Sequence, residues 1–337
     1  MPMDHAHKGG IAMKRLLLAA AAALLLLTYT HRREAATPVT LPEPLPAGDA
    51  VPAPPREPAA MTVGGREVPV WLYEYWLGQA CQQAVDLYAA SGQTPDWDSP
   101  DGLRAQVRRQ AMADAALCAM VEDWAVTRHC DLTDENRASL DRLWQQRCAA
   151  SGGEAAYLAS LGLTADQARR LGEIGQRYRN LHAQAADPAS PYAPTPEQLS
   201  DFARSHQYLS VDRIYVSGED AAQRISGLFS RLNDAPDPAA LFPALAREGE
   251  DHSGPRTFRV GDGTLSPALE AAAQELDPGS HSGILFDGEG YAILRRTAPS
   301  LPLLTARWLD DRLLSAAAAA DTLALPALEA VPIPVLP

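Results

Sequence analysis

The stretch from Leu265 to Arg296, LSPALEAAAQELDPGSHSGILFDGEGYAILRR, narrows the fold more than any other part of the chain. It reads in order as loop, short helix, Pro-Gly turn, strand, tight turn and strand. Pro278 and Gly279 stop the helix, because the first lacks an amide donor and the second favours turns. Asp287 and Gly288 form a two-residue hairpin signal. Strands joined by so short a turn pair antiparallel, so this stretch predicts an α+β arrangement with an antiparallel sheet.

At 337 residues the chain is long enough for two domains, and 42 Asp and Glu against 29 Lys and Arg give a net charge of −13. No clustered basic patch is present, and phosphate backbones need one, so nucleic acid is excluded as a partner. Lys8 and Lys14 precede the apolar part of the run MKRLLLAAAAALLLLTYT at residues 13–30, which is of signal-peptide length and shorter than the ~20 residues of a comfortable membrane span. Residues 1–33 therefore predict export, either as a removed signal peptide with a mediocre small-x-small site at Thr28 and Thr30, or as a retained membrane anchor. Residues 34–60 follow with Pro38, Pro42, Pro44, Pro46, Pro52, Pro54, Pro55 and Pro58, which disfavour helix and predict an extended, semi-rigid tether. Cys81, Cys118, Cys130 and Cys148 all lie beyond the tether; disulfides or buried free thiols both fit an exported chain. No metal site is expected, since the spacings are wide and only His129 adjoins a cysteine.

Residues 62–186 predict a helical module. Apolar and aromatic residues recur at helical spacing from Val70 to Ser91, through Trp71, Leu72, Tyr75, Trp76, Ala80, Ala84 and Leu87. Ser99, Pro100 and Asp101 signal the start of a second helix, which runs to about Arg128. Thr133 opens a third, with Leu140, Leu143 and Trp144 on one face; a short helix spans Tyr157 to Leu161, and Thr164 with Gln167 has the spacing of a capping box. Trp71, Tyr73, Tyr75 and Trp76 spread around the first helix, so either all are core or at least one ring is exposed and able to hold unfolded segments. The segments VGGREVPVWLYEYWL and YLASLGLTADQARRL resemble the N-terminal chaperone module of exported parvulin foldases. In such proteins a tail helix returns to complete the module, which implies that role for residues 301–337, where Leu304, Trp308 and Leu313 lie on one side.

Residues 195–297 predict a second, smaller domain. Thr195 to Gln198 form a capping box with Pro196 at the first helical position, and a strand runs from Leu209 to Val216. Helices from Asp220 to Leu232 and from Pro238 to Arg247 follow, then a strand at Thr257–Val260 and the Leu265–Arg296 stretch. This order, with the final strand Gly290, Tyr291, Ala292, Ile293 and Leu294, resembles a parvulin-type peptidyl-prolyl isomerase domain. The resemblance implies a small α/β domain and an apolar pocket for a proline ring, which Leu265 and Leu269 would line as substrate-binding residues. It implies a polar wall in which two histidines are replaced by Arg213 and Ala292, and in which His252 takes the place of a Cys or Asp. Read on its own, His252 is either a relocated catalytic group or a solvated loop residue. Arg213 either reaches the amide oxygen or faces solvent, and if it points inward it needs a carboxylate, with Asp251 or Glu248 as candidates.

The resemblance implies an extracytoplasmic folding factor of the peptidyl-prolyl cis-trans isomerase family that acts on unfolded or proline-containing exported polypeptides and needs no cofactor. The alternative is a non-catalytic holdase whose parvulin domain is degenerate. Gly261, Asp262 and Gly263 lack a third glycine for dinucleotide binding, and His281 stands where a nucleophile elbow needs serine.

Overall fold

The structure is a computed structural model that describes residues 57–98 and 102–334. The apolar run at 13–30, most of the tether and the helix-start signal at Ser99–Asp101 lie outside the described residues. Among the described residues no helix is long and apolar enough to cross a membrane. The chain divides into two compact units, one holding the residues through Gln184 together with those from Asp310, the other Ala185–Leu309.

In the first unit, β1 (Ala59–Val63) and β2 (Arg66–Pro69) form a hairpin across Gly64 and Gly65, whose φ values of 54° and 80° suit the turn that matches strand twist. Five helices follow: α1 (Val70–Ala90), α2 (Leu103–Thr127), α3 (Asp134–Ala150), α4 (Glu154–Leu161) and α5 (Ala165–Ala186). The hairpin supplies two strands of a three-stranded antiparallel sheet. Its third strand comes from the other end of the chain. Trp71, Tyr73 and Trp76 are 8%, 0% and 1% exposed, and Tyr75 sits half-buried, edge-on to Trp76. Trp71, Tyr73 and Trp76 are core, because α2 packs along one side of the helix and the β1–β2 hairpin covers another. An exposed aromatic cradle on α1 is thereby ruled out. All four cysteines are free thiols, Cys81 and Cys118 buried and Cys130 and Cys148 half-buried, and no disulfide links them. Burial pushes the Cys81 thiol up to about 11 and raises Cys118 further, which leaves both inert.

The second unit opens with α6 (Pro196–Ser205), capped by Thr195 in a reciprocal box with Gln198. Then come β3 (Tyr208–Ser217), α7 (Ala221–Asn233), α8 (Pro238–Glu248), β4 (Arg256–Arg259), α9 (Pro267–Glu275), β5 (Leu285–Phe286) and β6 (Gly290–Arg296). The four strands form an antiparallel sheet in the order β4-β3-β6-β5. The elements match the predicted order within a residue or two at each end. Alternation along β3 divides the core into two layers. Ile214 and Val216 face α7 and α8 with Ile225, Leu232, Phe242 and Leu245, whereas Val211 and Tyr215 face α9 with Leu265, Leu269 and Ala273. Asp212 points to the first layer and is 3% exposed; Arg295 meets it at 3.3 Å. The helix α10 (Leu301–Ala319) follows β6, with Leu304 packed on Leu199 and Phe202 of α6. The strand β7 (Thr322–Ala324), paired with β1, and the short helix α11 (Pro326–Ala330) close the described chain in the first unit.

Candidate functional site

The candidate site is an open cleft in the second unit, lined by Arg213, Tyr215, Glu250, Asp251, His252, Ser253 and Arg256. It lies between β3 and the loop that leaves α8, and the loop is held hard against the strand. Glu250 donates its amide to the Tyr215 carbonyl at 2.7 Å. The Glu250 carboxylate accepts from the Ser217 amide at 3.1 Å, the Ser217 hydroxyl at 2.6 Å and Arg224 Nη1 at 3.0 Å. Gly249 makes the approach possible, since a Cβ there would sit 2.7 Å from the Tyr215 carbonyl oxygen.

Asp251 is the hub of the cleft. Its Oδ2 accepts from Arg213 Nε at 2.8 Å, and its Oδ1 accepts from the Ser253 amide at 3.1 Å, the Ser253 hydroxyl at 2.6 Å and Arg256 Nη2 at 3.0 Å. Burial works to raise its pKa, but the bonds from Ser253 and Arg213 outweigh it and hold the carboxyl at about 2. A carboxylate so stabilised is a poor proton acceptor. It therefore positions the two guanidinium groups and does not activate the Ser253 hydroxyl. Arg213 thus has one of the two carboxylates named for it on sequence grounds, while Glu248 is engaged by Arg231 at 2.6 Å. The Arg213 guanidinium also lies over the Tyr215 ring, 4.7 Å from its centre. Burial and the carboxylates of Asp287 and Glu289 push the Tyr215 hydroxyl above its ordinary range. At neutral pH the cleft presents two cations and a phenol that keeps its proton, a set of donors suited to carbonyl or carboxylate oxygens.

The residues predicted from sequence fall into two groups. Arg213 and His252 both line the cleft, and His252 is exposed. Leu265, Leu269 and Ala292 come together elsewhere, in the apolar layer beneath α9, where they are 6%, 1% and 0% exposed. Tyr215 joins the two groups, since it lines the cleft and packs against that layer; its partner across the sheet is Ala292. Leu265 and Leu269 are buried in that layer and do not line the cleft. Tyr215, Ser253 and Arg256 are absent from the sequence reading. Period-two alternation from Arg213 identifies Tyr215 as a neighbour on the same face, whereas Ser253 and Arg256 follow only from how the loop folds around Asp251.

Comparison with protein-family models and with curated protein sequences gives no match. Among solved structures, the peptidylprolyl isomerase PrsA from Bacillus anthracis aligns at 18% identity over 60% of this chain and 94% of that one, with a TM-score of 0.23. The foldase protein PrsA from Streptococcus pneumoniae aligns at 15% identity over 66% and 86%, with a TM-score of 0.28. A SurA-like chaperone from Campylobacter jejuni aligns at 11% identity over 79% and 99%, with a TM-score of 0.21.

Proposed function

We propose that this chain is an exported folding factor that holds unfolded polypeptides, and that its parvulin-like domain binds extended backbone in the Asp251 cleft and isomerises prolyl bonds weakly. Three things support the reading: the parvulin-like order of elements from β3 to β6, the signal-like run at residues 13–30, and the chemistry of the cleft. The cleft carries most weight. Isomerisation passes through a twisted amide with a barrier of ~18–20 kcal/mol, and a catalyst must hold the proline ring while it favours the rotated carbonyl. Arg213 and Arg256 can meet the carbonyl oxygen. The apolar residues that would hold the ring, Leu265 and Leu269, are buried and do not line the cleft. The domain therefore has the means to grip a peptide carbonyl and lacks an open seat for the ring.

The test is a proline-limited peptide isomerisation assay run beside suppression of aggregation of an unfolded protein, both on the chain from Glu57 onward, which keeps β1 whole. Aggregation should be suppressed, and the isomerisation rate should fall far below that of an intact parvulin. Arg213→Gln should weaken peptide binding at the cleft without changing aggregation suppression by the helical unit. An isomerisation rate equal to that of an intact parvulin would overturn the weak-catalyst reading and make Arg213 and His252 the first residues to replace.

A further inference from the structure

The Asp251 cleft holds more cation than its own acids neutralise. Two arginines share one carboxylate, Arg213 on Oδ2 and Arg256 on Oδ1, and the Ser253 amide and hydroxyl also donate to Oδ1. The other acids nearby are engaged elsewhere. Glu250 is taken by Ser217 and Arg224, Glu248 by Arg231 and Asp212 by Arg295. On the β5–β6 hairpin Asp287 accepts from the amides of Glu289 and Gly290, and among the described residues neither Asp287 nor Glu289 forms an ion pair with Arg213 or Arg256. Positive charge is therefore left over where the loop meets β3, in a chain whose net charge is −13.

Donors are left over as well. A guanidinium can donate from Nε and from both Nη. Among the described residues the Arg213 guanidinium gives a protein acceptor only Nε, and that of Arg256 only Nη2, which bonds Asp251 at 3.0 Å and the Ser253 hydroxyl at 2.6 Å. The end-on fork of Arg213, made by its two Nη nitrogens, is thus unused, and so are Nε and Nη1 of Arg256. Both side chains line the cleft, where they are 20% and 37% exposed. The Arg213 fork is also held in place, by Asp251 at Nε and by the Tyr215 ring, whose centre lies 4.7 Å from the guanidinium carbon. A staple between loop and strand would need only the bonds to Asp251. A fixed, open fork beside a second cation fits a planar anion that offers two oxygens, and in an unmodified polypeptide that group is a carboxylate.

We infer that the Asp251 cleft selects client segments that carry a carboxylate, which seats end-on at the Arg213 fork with Arg256 as the second cation. The inference rests on the polypeptide-binding role proposed above for the same cleft and adds its charge preference. A backbone carbonyl fills one donor of the fork and brings no charge, whereas a carboxylate fills both and neutralises the surplus. The overall negative charge of the chain repels free acids, so a preference for them has to come from this local pair of cations.

Isothermal titration calorimetry of the full chain at low salt tests it with short end-blocked peptides of Gly, Ala and Ser that carry Glu, Gln or Lys at the centre, and with the Gln peptide left unblocked at its C-terminus. A peptide with a carboxylate should bind about tenfold more tightly than the blocked Gln peptide, and the Lys peptide should bind most weakly. Preference for the blocked Glu peptide assigns the seat to a side-chain carboxylate, and preference for the unblocked Gln peptide assigns it to a chain end; either supports the inference. Arg213→Lys keeps a cation for Asp251, and with it the loop, but loses the fork, so the preference should fall to about twofold or less. Arg204→Gln, at an exposed arginine of α6 outside the cleft, should leave it unchanged. Equal affinity of the acidic and neutral peptides, an undiminished preference in Arg213→Lys, or an equal loss in Arg204→Gln would each overturn the inference. If the Glu and Gln peptides bind equally and Arg213→Lys weakens both, the charge preference is wrong and the polypeptide-binding role of the cleft stands. If no peptide binds, both fall together, and suppression of aggregation alone decides whether the chain holds polypeptides.

Discussion

The Tyr215 ring lies over Gly290 and Ala292 on the neighbouring strand and limits how large each can be. A Cβ on Gly290 would meet the Tyr215 hydroxyl at 2.6 Å and the Val216 carbonyl at 2.6 Å, and Ala292 is directly opposite Tyr215 and fully buried. Alanine at this position is thus a packing requirement. Ala292→His alone should destabilise the protein by roughly 1–3 kcal/mol through overpacking, and the double variant with Tyr215→Ala should recover part of that loss. Urea unfolding of the two variants checks it; equal stability of Ala292→His and the parent would show that Tyr215 does not occupy the space. Asp114 makes a comparable demand in the first unit. It is 4% exposed, and burial pushes its carboxyl to about 7 even though Gln110 donates to both oxygens at 3.0 Å. Below about pH 4 the acid is protonated in both states and contributes nothing. Between that pH and about 7 the unfolded chain ionises first and binds fewer protons than the folded one, so stability falls as pH rises. Above that window the penalty is constant and on the order of 4 kcal/mol. Asp114→Asn should therefore be more stable than the parent at pH 8 and lose the advantage at pH 4. A stability difference independent of pH would mean that Asp114 titrates in the folded protein as it does in the unfolded chain.

Elements bounded by their own side chains are the ones most legible in the sequence. Thr133 with Asn136, Thr164 with Gln167, and Thr195 with Gln198 each exchange side-chain and backbone bonds, and all three sit at the helix starts that spacing alone predicts. Such a cap is local, needing only four residues to form. Thr195→Ala should cost about 1 kcal/mol, and because α6 also buries Leu199 and Phe202 the helix should shorten and not melt. Circular dichroism together with denaturant unfolding measures both quantities, and a loss well above this would mean that the cap also supports β3. The strand β7 is illegible for the opposite reason. Its three residues Thr322, Leu323 and Ala324 are all exposed and lack alternation, and its pairing with β1 depends on a contact between opposite ends of the chain. The candidate cleft divides in the same way. An inward Arg213 needs a carboxylate, so charge alone narrows its partner to Asp251 or Glu248, and the fold of the loop selects Asp251. The burial of Leu265 and Leu269 is set by how α9 packs on the sheet, and periodicity fixes the face of a side chain but not its reach.

For the whole molecule, the return of the chain after α10 joins its two ends within the first unit. Met61 pairs with Ala324 and Val63 with Thr322, so β1 is the central strand of its sheet only when β7 is present. The Arg108 guanidinium extends the link, donating to the Val331 carbonyl at 2.8 Å and lying within bonding reach of the Tyr73 hydroxyl at 3.5 Å. Arg108 also acts electrostatically on the Cys81 thiol, which burial holds at about 11. Deleting the residues after Ala319 would leave the outer edge of β1 unpaired, strip Arg108 of its carbonyl partner and remove Leu328 from the core. Backbone groups along β1 would turn to water, and α1 would lose cover on the side that carries Tyr73 and Cys81. The thiol then reports the damage directly. Cys81 in the truncated chain should react with a disulfide reagent at pH 8 at least tenfold faster than in the full chain. Cys118, completely buried on α2, should keep its slow rate. The second unit contributes no residue to these contacts, so amide exchange along β3 and β6 should be the same in both proteins. Unchanged Cys81 reactivity would show that the first unit closes without its returning segment, and faster exchange in β3 would show that the two units do not unfold independently.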